Sequence, residues 1–271
     1  MGGRLFIVGT PIGNLGDMTD RARATLQDVD VIAAEDTRRT GRLLARFAIT
    51  GKVISLFEGN EDRRTSQIIT MLREGKDVAL VSDAGMPGLS DPGYPLIRAC
   101  LAEGLDVRVV PGPSAVTAAL VVSGLPMDRF VFEGFLPRKV GERRARLRAM
   151  AQDPRTVVVF ESRLRVATLL RDVLVELGDR SIAVVREMTK LHEEIVRGRT
   201  SEVLARLADH ELKGEVVVVI EGSRGEEAPD IESLVAEARA LMTTGLRKRD
   251  AAAQVARDHG ASTNEIYRLL V

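Results

Sequence analysis

The 271-residue chain reads as an α/β protein with a parallel-rich N-terminal sheet, a mixed C-terminal sheet and a small helical extension. Three observations predict this. Through residues 4–122, short apolar runs alternate with helix-length segments of ten or so residues, the mark of βαβ units. After Leu125 and Pro126 the rhythm changes. The link around residues 190–193 is too short for a helical crossover, so the second sheet must be mixed. Beyond the Gly-, charge- and Pro-rich stretch 222–229, only helical patterns follow. The division expected is therefore 1–122, 123–222 and 223–271.

Each element has its own signal. RLFIV at 4–8 is apolar without alternation, as in a strand buried on both faces. A Gly loop and a helix at 20–26 follow, then a strand at 29–33 and a basic helix at 37–47. A short strand is expected at 52–56 and a polar loop at 57–62. Ile68, Ile69 and Leu72 give the next helix one apolar face, and Gly75 stops it. Strands at 77–81 and 107–110 flank a helix at about 95–103. In the second half, strands are expected at 130–132, 156–160, 181–185, 194–197 and 215–220. A basic helix falls at 142–150. Val166, Leu169, Leu170, Val173, Leu174 and Leu177 stripe the clearest helix of the chain, which Gly178 caps. The extension carries helical patterns at 231–241, 250–258 and 262–270, with Ser262 and Glu265 at capping-box spacing. Gly260 between the last two fits either a helix-turn-helix or a plain helical hairpin.

Composition excludes several classes. Basic and acidic residues balance at 39 each, so the chain is no bulk polycation, although a local basic face suffices for nucleic acid. With 3% aromatics and no Trp, base stacking is not its main binding mode. Cys100 has no partner and sits in an apolar helical stretch, so it reads as a buried thiol. His192, His210 and His259 are scattered, which leaves no zinc spacing and no metal site. No secretory signal and no membrane-length apolar run is visible, so the expected location is cytoplasmic.

Residues 81–119 organise the rest: two strands each open into a loop dense in Gly, Pro, Ser and Asp. No Gly-Lys-Ser/Thr P-loop, G-x-G-x-x-G or G-x-S-x-G is present. The loops instead offer backbone amides, small side chains and one acid, Asp83. Asp83 can accept from an ammonium or hydroxyl, Ser114 at a helix mouth can donate to a carboxylate, and Gly85 and Gly88 let the backbone approach a base edge. That inventory suits a small nucleoside-like ligand, of which S-adenosylmethionine is one among several.

GTPIGNL at 9–15, AEDTRRTG at 34–41, SDAGMPGLSDPG at 82–93, PGPS at 111–114, EGFLPRK at 133–139 and REMTKLHE at 186–193 run in order through the chain. Together they resemble the ribosomal RNA small subunit methyltransferase I family of the tetrapyrrole methylase superfamily. The resemblance implies two α/β domains with S-adenosylmethionine in the cleft between them, usually as a homodimer. It also implies 2′-O-methylation of a cytidine in the decoding region of 16S ribosomal RNA. It places Pro11, Ile12, Gly13, Asp83, Ala84, Gly85, Met86, Ser114 and Ala115 at the cofactor, with Phe160, Arg186 and Val216 closing the cleft. Porphyrin enzymes of the superfamily carry G-x-G-P-G-D and Gly-Asp-Pro, where this chain has GTPIGN and Ser82-Asp83-Ala84. Both departures fit the ribosomal RNA branch. The alternatives are a tetrapyrrole C-methyltransferase and a non-catalytic ribosome-binding protein that holds a nucleoside.

Methyl transfer to a ribose hydroxyl gains from a base and a cation. The stretch 35–39 offers Glu35 or Asp36 as base and Arg38 or Arg39 as cation, although the simpler reading is that Asp36 caps the following helix and the arginines bind phosphate or a partner chain. RNA also needs a basic track. Arg39, Arg138, Lys139, Arg143, Arg144, Arg163, Arg247, Lys248 and Arg249 are the candidates, taken from clusters dense in Arg and Lys.

Overall fold

A computed structural model describes residues 2–208, 214–225 and 231–270. Residues 152–154 and 222–271 form one compact unit; the rest, through Glu221, forms the other and holds both sheets.

The first sheet is built from β1 (Arg4–Val8), β2 (Val31–Ala34), β3 (Lys52–Ser55), β4 (Val78–Val81) and β5 (Asp106–Val110). Its order is β3-β2-β4-β1-β5, with every pair parallel. Alternate residues of β4 face opposite cores, as a two-residue period demands. Val78 and Leu80 pack with α3 (Glu61–Arg73) and α4 (Tyr94–Ala102), whereas Ala79 and Val81 pack with α1 (Asp20–Asp28) and α2 (Thr37–Arg46). Burial of both faces explains why these strands read as unbroken apolar runs. The adjacent central strands β1 and β4 send their chains to opposite faces, and a ligand crevice forms at the carboxyl ends of such a pair. α5 (Ala115–Ser123) follows β5 but leaves this sheet altogether.

The second sheet has the order β6-β7-β10-β8-β9, from β6 (Phe130–Phe135), β7 (Thr156–Ser162), β8 (Ser181–Arg186), β9 (Glu194–Arg199) and β10 (Glu215–Ile220). Only β6 and β7 are parallel, so the sheet is mixed as expected. Val216, Val218 and Ile220 of β10 pack on the side of α6 (Val140–Ala149), α7 (Val166–Leu177) and α8 (Thr200–Ala208). Val217 and Val219 pack on α5 instead. α8 has no counterpart in the sequence reading, although Val203, Leu204 and Leu207 give it a short apolar face.

In the other unit, α9 (Ile231–Thr243), α10 (Lys248–His259) and α11 (Thr263–Leu269) enclose a small core of Leu234, Val235, Ala238, Val255 and Ile266. Gly260 takes the left-handed conformation between the last two helices, with φ 64°. Ser262 occupies the N-cap of α11, but its side chain makes no capping bond, which corrects the capping box. The C-terminal half of the expected linker, residues 226–229, lies outside the described residues, as does His210. Among the described residues no helix is long and apolar enough to cross a membrane.

Candidate functional site

Loops from the carboxyl ends of the first sheet meet loops of the second around a cavity of about 640 Å³. Two contacts hold the first-sheet wall. Thr10 and Gly85 exchange backbone hydrogen bonds at 2.9 and 3.1 Å, tying the loop after β1 to the loop after β4. Gly9 and Gly112 lie so close that a Cβ on Gly9 would sit 2.6 Å from the Gly112 nitrogen. Glycine is therefore required at both, and the Pro-Gly-Pro turn is pressed against the end of β1. Gly85 has φ 82°, a shape open to it because it lacks a Cβ.

The second-sheet wall comes from the end of β6, the end of β7, the start of β10 and the β8–β9 loop. Strand β7 runs antiparallel to β10, with Glu161 opposite Val216 and Phe160 opposite Val217, so the end of one adjoins the start of the other. Ser90, Glu187 and Thr189 all have positive φ without being glycine. Strain of this kind gathers at functional sites. Ser90 is held against the β6 bulge, where a Cβ on Gly134 would lie 2.8 Å from its Oγ.

Apolar lining comes from Ile12, Met86, Ala115, Val116, Phe160, Met188, Val216 and Val217. The polar lining is dominated by acid: Glu35, Asp83, Asp91, Glu161, Glu187 and Glu215 face Arg39, Arg163 and Lys190. Asp83 Oδ2 lies 3.1 Å from Arg39 Nη1, and its Oδ1 accepts from the Asp36 N–H at 3.2 Å. Burial pushes the Glu35 carboxyl above its ordinary pKa. Asp91 rises further, to about 6, through burial first and then repulsion from Glu35, against a hydrogen bond from Ser82. Glu161 is 2% exposed, and its Oε2 has no hydrogen-bond partner, although Arg165 lies 3.3 Å away. Among the described residues no group of His, Cys, Asp and Glu is placed to hold a metal ion.

Of the residues expected at the cofactor, Ile12, Asp83, Ala84, Gly85, Met86, Ser114, Ala115, Phe160 and Val216 line the cavity. Pro11 is buried beside it. Gly13 lies at its edge, where a Cβ would meet Lys190 and Thr189 of the β8–β9 loop at 2.9 Å. Arg186 is not in the lining; it ends β8 in an ion pair with Glu194. Of the catalytic candidates, Glu35 faces the cavity and Asp36 does not. Asp36 caps α2, accepting from the Arg38 and Arg39 N–H groups, and pairs with the Arg38 guanidinium at 3.0 Å. These bonds from Arg38 hold its carboxyl down to about 2, so it is a poor proton acceptor.

The basic cluster of α6 needs correction. Arg143 is buried, and its guanidinium pairs with Asp172 of α7 at 2.6 Å. Arg144 pairs with the same carboxylate at 2.7 Å, Arg146 with Glu133 at 2.6 Å and Arg148 with Glu176 at 3.0 Å. Arg143 therefore joins two helices and cannot contact RNA. The charge run read as an RNA track because its acidic partners lie 13 to 29 residues away in sequence. Arg39, Arg138, Lys139 and Arg163 are exposed, and Arg39 and Arg163 line the cavity mouth. Arg247 stands at the N-cap of α10, followed by Lys248 over the Tyr267 ring and by exposed Arg249. Sequence reasoning missed Asp91, Glu161, Glu187, Lys190 and Glu215. For Asp91 a signal existed, since Ser90–Asp91 repeats the Ser82–Asp83 pair within one Gly/Pro-rich loop.

The chain matches the family model for Tetrapyrrole (Corrin/Porphyrin) Methylases over residues 4–204. It is 50% identical to the ribosomal RNA small subunit methyltransferase I of Thermotoga maritima over 81% of this chain and 99% of that one. Identity to the protein of the same name from Synechocystis is 45%, over 98% and 97%. The chain belongs to the ribosomal RNA small subunit methyltransferase I family of the tetrapyrrole methylases. Its fold is that of the wider family. Uroporphyrin-III-C-methyltransferase from Thermus thermophilus superposes with a TM-score of 0.58 at 21% identity, covering 80% of this chain and 94% of that one. Diphthine synthase gives 0.59 at 15%, covering 80% and 89%. Another Thermus thermophilus uroporphyrin-III C-methyl transferase structure, described as complexed with S-adenyl homocysteine, gives 0.57 at 21%, covering 81% and 97%.

Proposed function

We propose that the protein is an S-adenosylmethionine-dependent 2′-O-ribose methyltransferase acting on a cytidine of 16S ribosomal RNA in the decoding region of the small ribosomal subunit. The observation that carries this reading is the cavity itself. It joins an apolar cradle to a cluster of carboxylates, and its volume falls in the range of small-molecule sites. The curated relatives named for ribosomal RNA methylation give the substrate class. The cradle fits the methyl donor. Ile12, Gly85, Met86, Ala115 and Val216 would hold its adenosyl part, and Asp83 would accept from its hydroxyls or ammonium. Bound there, the donor supplies an electrophilic methyl group on a cationic sulfonium, and the surplus of carboxylates favours that charge.

The chain's own residues do the rest. The ribose 2′-hydroxyl enters the acidic half, and the Asp91 carboxylate, with Glu35 as second candidate, takes its proton. Arg39 balances the charge that develops, and apolar walls exclude water. Positioning supplies much of the rate in such a displacement. Arg138, Lys139, Arg163, Arg247, Lys248 and Arg249 are the cations offered to RNA phosphates, Arg144 being taken up by Asp172. The same reading takes the protein to be a cytoplasmic homodimer, with exposed Val109 on edge strand β5 and Val121 on α5 as apolar contacts.

A porphyrinoid C-methyltransferase is the second reading, on the strength of the structural neighbours. The acidic lining weighs against it, because porphyrinoid rings bear carboxylate arms that six cavity carboxylates would repel. Incubating labelled S-adenosylmethionine with small ribosomal subunits, naked RNA and a precorrin mixture tests both. Label recovered as 2′-O-methylcytidine is expected; label only in the tetrapyrrole sinks the first reading, and label nowhere favours a binding protein.

A further inference from the structure

The two most exposed large apolar side chains among the described residues are Leu191, at 92%, and Leu164, at 80%. Single exposed leucines need no explanation. These two, however, stand on loops of the same cavity: Leu164 is in its lining, and Leu191 directly follows Lys190, which is also in the lining. Each is preceded in sequence by a cation, Arg163 or Lys190. Leu89 and Phe135, also in the lining and exposed, add apolar surface at the mouth.

Neither leucine sits on a frayed segment. The turn bearing Leu164 is closed by the Arg165 N–H donating to Ser162 O at 2.9 Å, and the Ser162 N–H donates to Glu161 Oε1 at 2.7 Å. The Arg165 guanidinium fastens this turn to the carbonyls of Leu136 and Pro137 at 3.2 and 3.0 Å. In the β8–β9 loop the Lys190 N–H donates to Glu187 O at 3.0 Å, and the Thr189 N–H to a Glu193 carboxylate oxygen at 2.7 Å. The backbone that carries both leucines is thus held by bonded turns, so little main-chain entropy is lost when they meet a partner.

Charge identifies that partner. Cations adjoin the leucines at the mouth, Lys190 of them bridged to Glu187 at 2.9 Å, while the interior is lined mainly by carboxylates. A polyanion can lie along the mouth, but its phosphates are kept from the interior, so only an uncharged nucleoside portion enters. An acceptor nucleotide must therefore leave its stack, and leaving a stack costs a few kcal/mol per step. Apolar side chains inserted between base steps are a known means of meeting that cost.

We infer that Leu164 and Leu191 form an apolar wedge that inserts into the RNA at the place vacated by the nucleotide drawn into the cavity, with Arg163 and Lys190 on the flanking phosphates. The inference rests on the reading of the protein as an RNA 2′-O-methyltransferase. Leu164→Ala, Leu191→Ala and the double variant would be assayed in single turnover on structured small-subunit RNA, with 2-aminopurine beside the target cytidine. The double variant is expected to lose on the order of tenfold in methylation rate together with the fluorescence rise that reports unstacking. In Leu191→Ala, which lies outside the cavity lining, cofactor affinity should be unchanged and an unstructured short oligonucleotide should be methylated at the wild-type rate. Wild-type rates and fluorescence in the double variant would overturn the wedge, as would equal loss on both RNAs. Conversion of a dimer to monomers in the double variant, seen by light scattering, would overturn it by assigning the leucines to a second copy of the chain. If the unaltered protein methylates no RNA, it is the functional reading that fails.

Discussion

Arg39 Nη1 stands 3.1 Å from Asp83 Oδ2, so the central acid of the cavity carries a cation even without ligand. Asp83 also accepts from the backbone of Asp36, which links the loop after β4 to the start of α2. Replacing Asp83 with Ala should weaken S-adenosylmethionine binding by about 1–3 kcal/mol, the cost of losing a half-buried acceptor whose donors are left unpaired. Isothermal titration measures this, and unchanged affinity would remove Asp83 from the cofactor's contacts.

Asp91 gives the reaction a pH signature. Its pKa is raised to about 6 by burial and by Glu35, Asp83 and Glu215, while Ser82 opposes the shift. A base acts as the carboxylate, so single-turnover rates should fall below about pH 6 and level off above it. Asp91→Asn should remove this limb along with most of the rate. A limb that survives in Asp91→Asn but disappears in Glu35→Gln would give the role to Glu35. The stability effect has the opposite sense. A raised carboxyl pKa means the folded state holds the extra proton between the ordinary value of 3.8 and about 6. Stability from this group is therefore lost as pH rises through that window, and Asp91→Asn should abolish the loss.

The Arg143–Asp172 pair is buried at both ends, with side chains 3% and 2% exposed. Removing one partner by Asp172→Ala leaves a buried unpaired charge and should cost about 3–5 kcal/mol of stability in urea denaturation. Replacing both with apolar residues should restore most of it. RNA affinity per folded molecule should not change in the double replacement, in contrast to Arg138→Glu, which should weaken RNA binding without destabilising the fold.

At the Gly9–Gly112 contact a single methyl is too much. On Gly112 it would lie 2.7 Å from the Gly9 carbonyl carbon. Gly112→Ala should destabilise the protein by about 1–3 kcal/mol and reduce cofactor affinity, because the loop carrying Ser114 must shift. Thermal melting with and without S-adenosylmethionine reads both effects.

Much of this fold was legible because its strands are buried on both faces. RLFIV at 4–8 and EVVVVI at 215–220 admit no other reading once flanked by loops and helices. The cradle was legible in part: Gly85 answers a local demand, a positive φ that favours glycine, whereas Gly112 is fixed by the close approach of Gly9 from the far end of β1. What escaped depended on distance. Arg143 looked like a surface cation because Asp172 is 29 residues away, and Asp91 went unread because its raised proton affinity comes first from burial and then from Glu35, just after β2, both set by the fold. Asp36 could be read either as a base or as a cap, and only the bonds from Arg38 and Arg39 decide for the cap.

Helix α5 begins at the cavity with Ser114 and Ala115, directly after the last strand of the first sheet, yet its buried side chains Val116, Ala119 and Leu120 pack with β8 and β10 of the second. One helix thus supplies an end of the ligand cradle and part of the other sheet's core. The two sheets should therefore melt as a single calorimetric transition, with van't Hoff and measured enthalpies in agreement. A ligand that steadies Ser114 should raise that one transition for both.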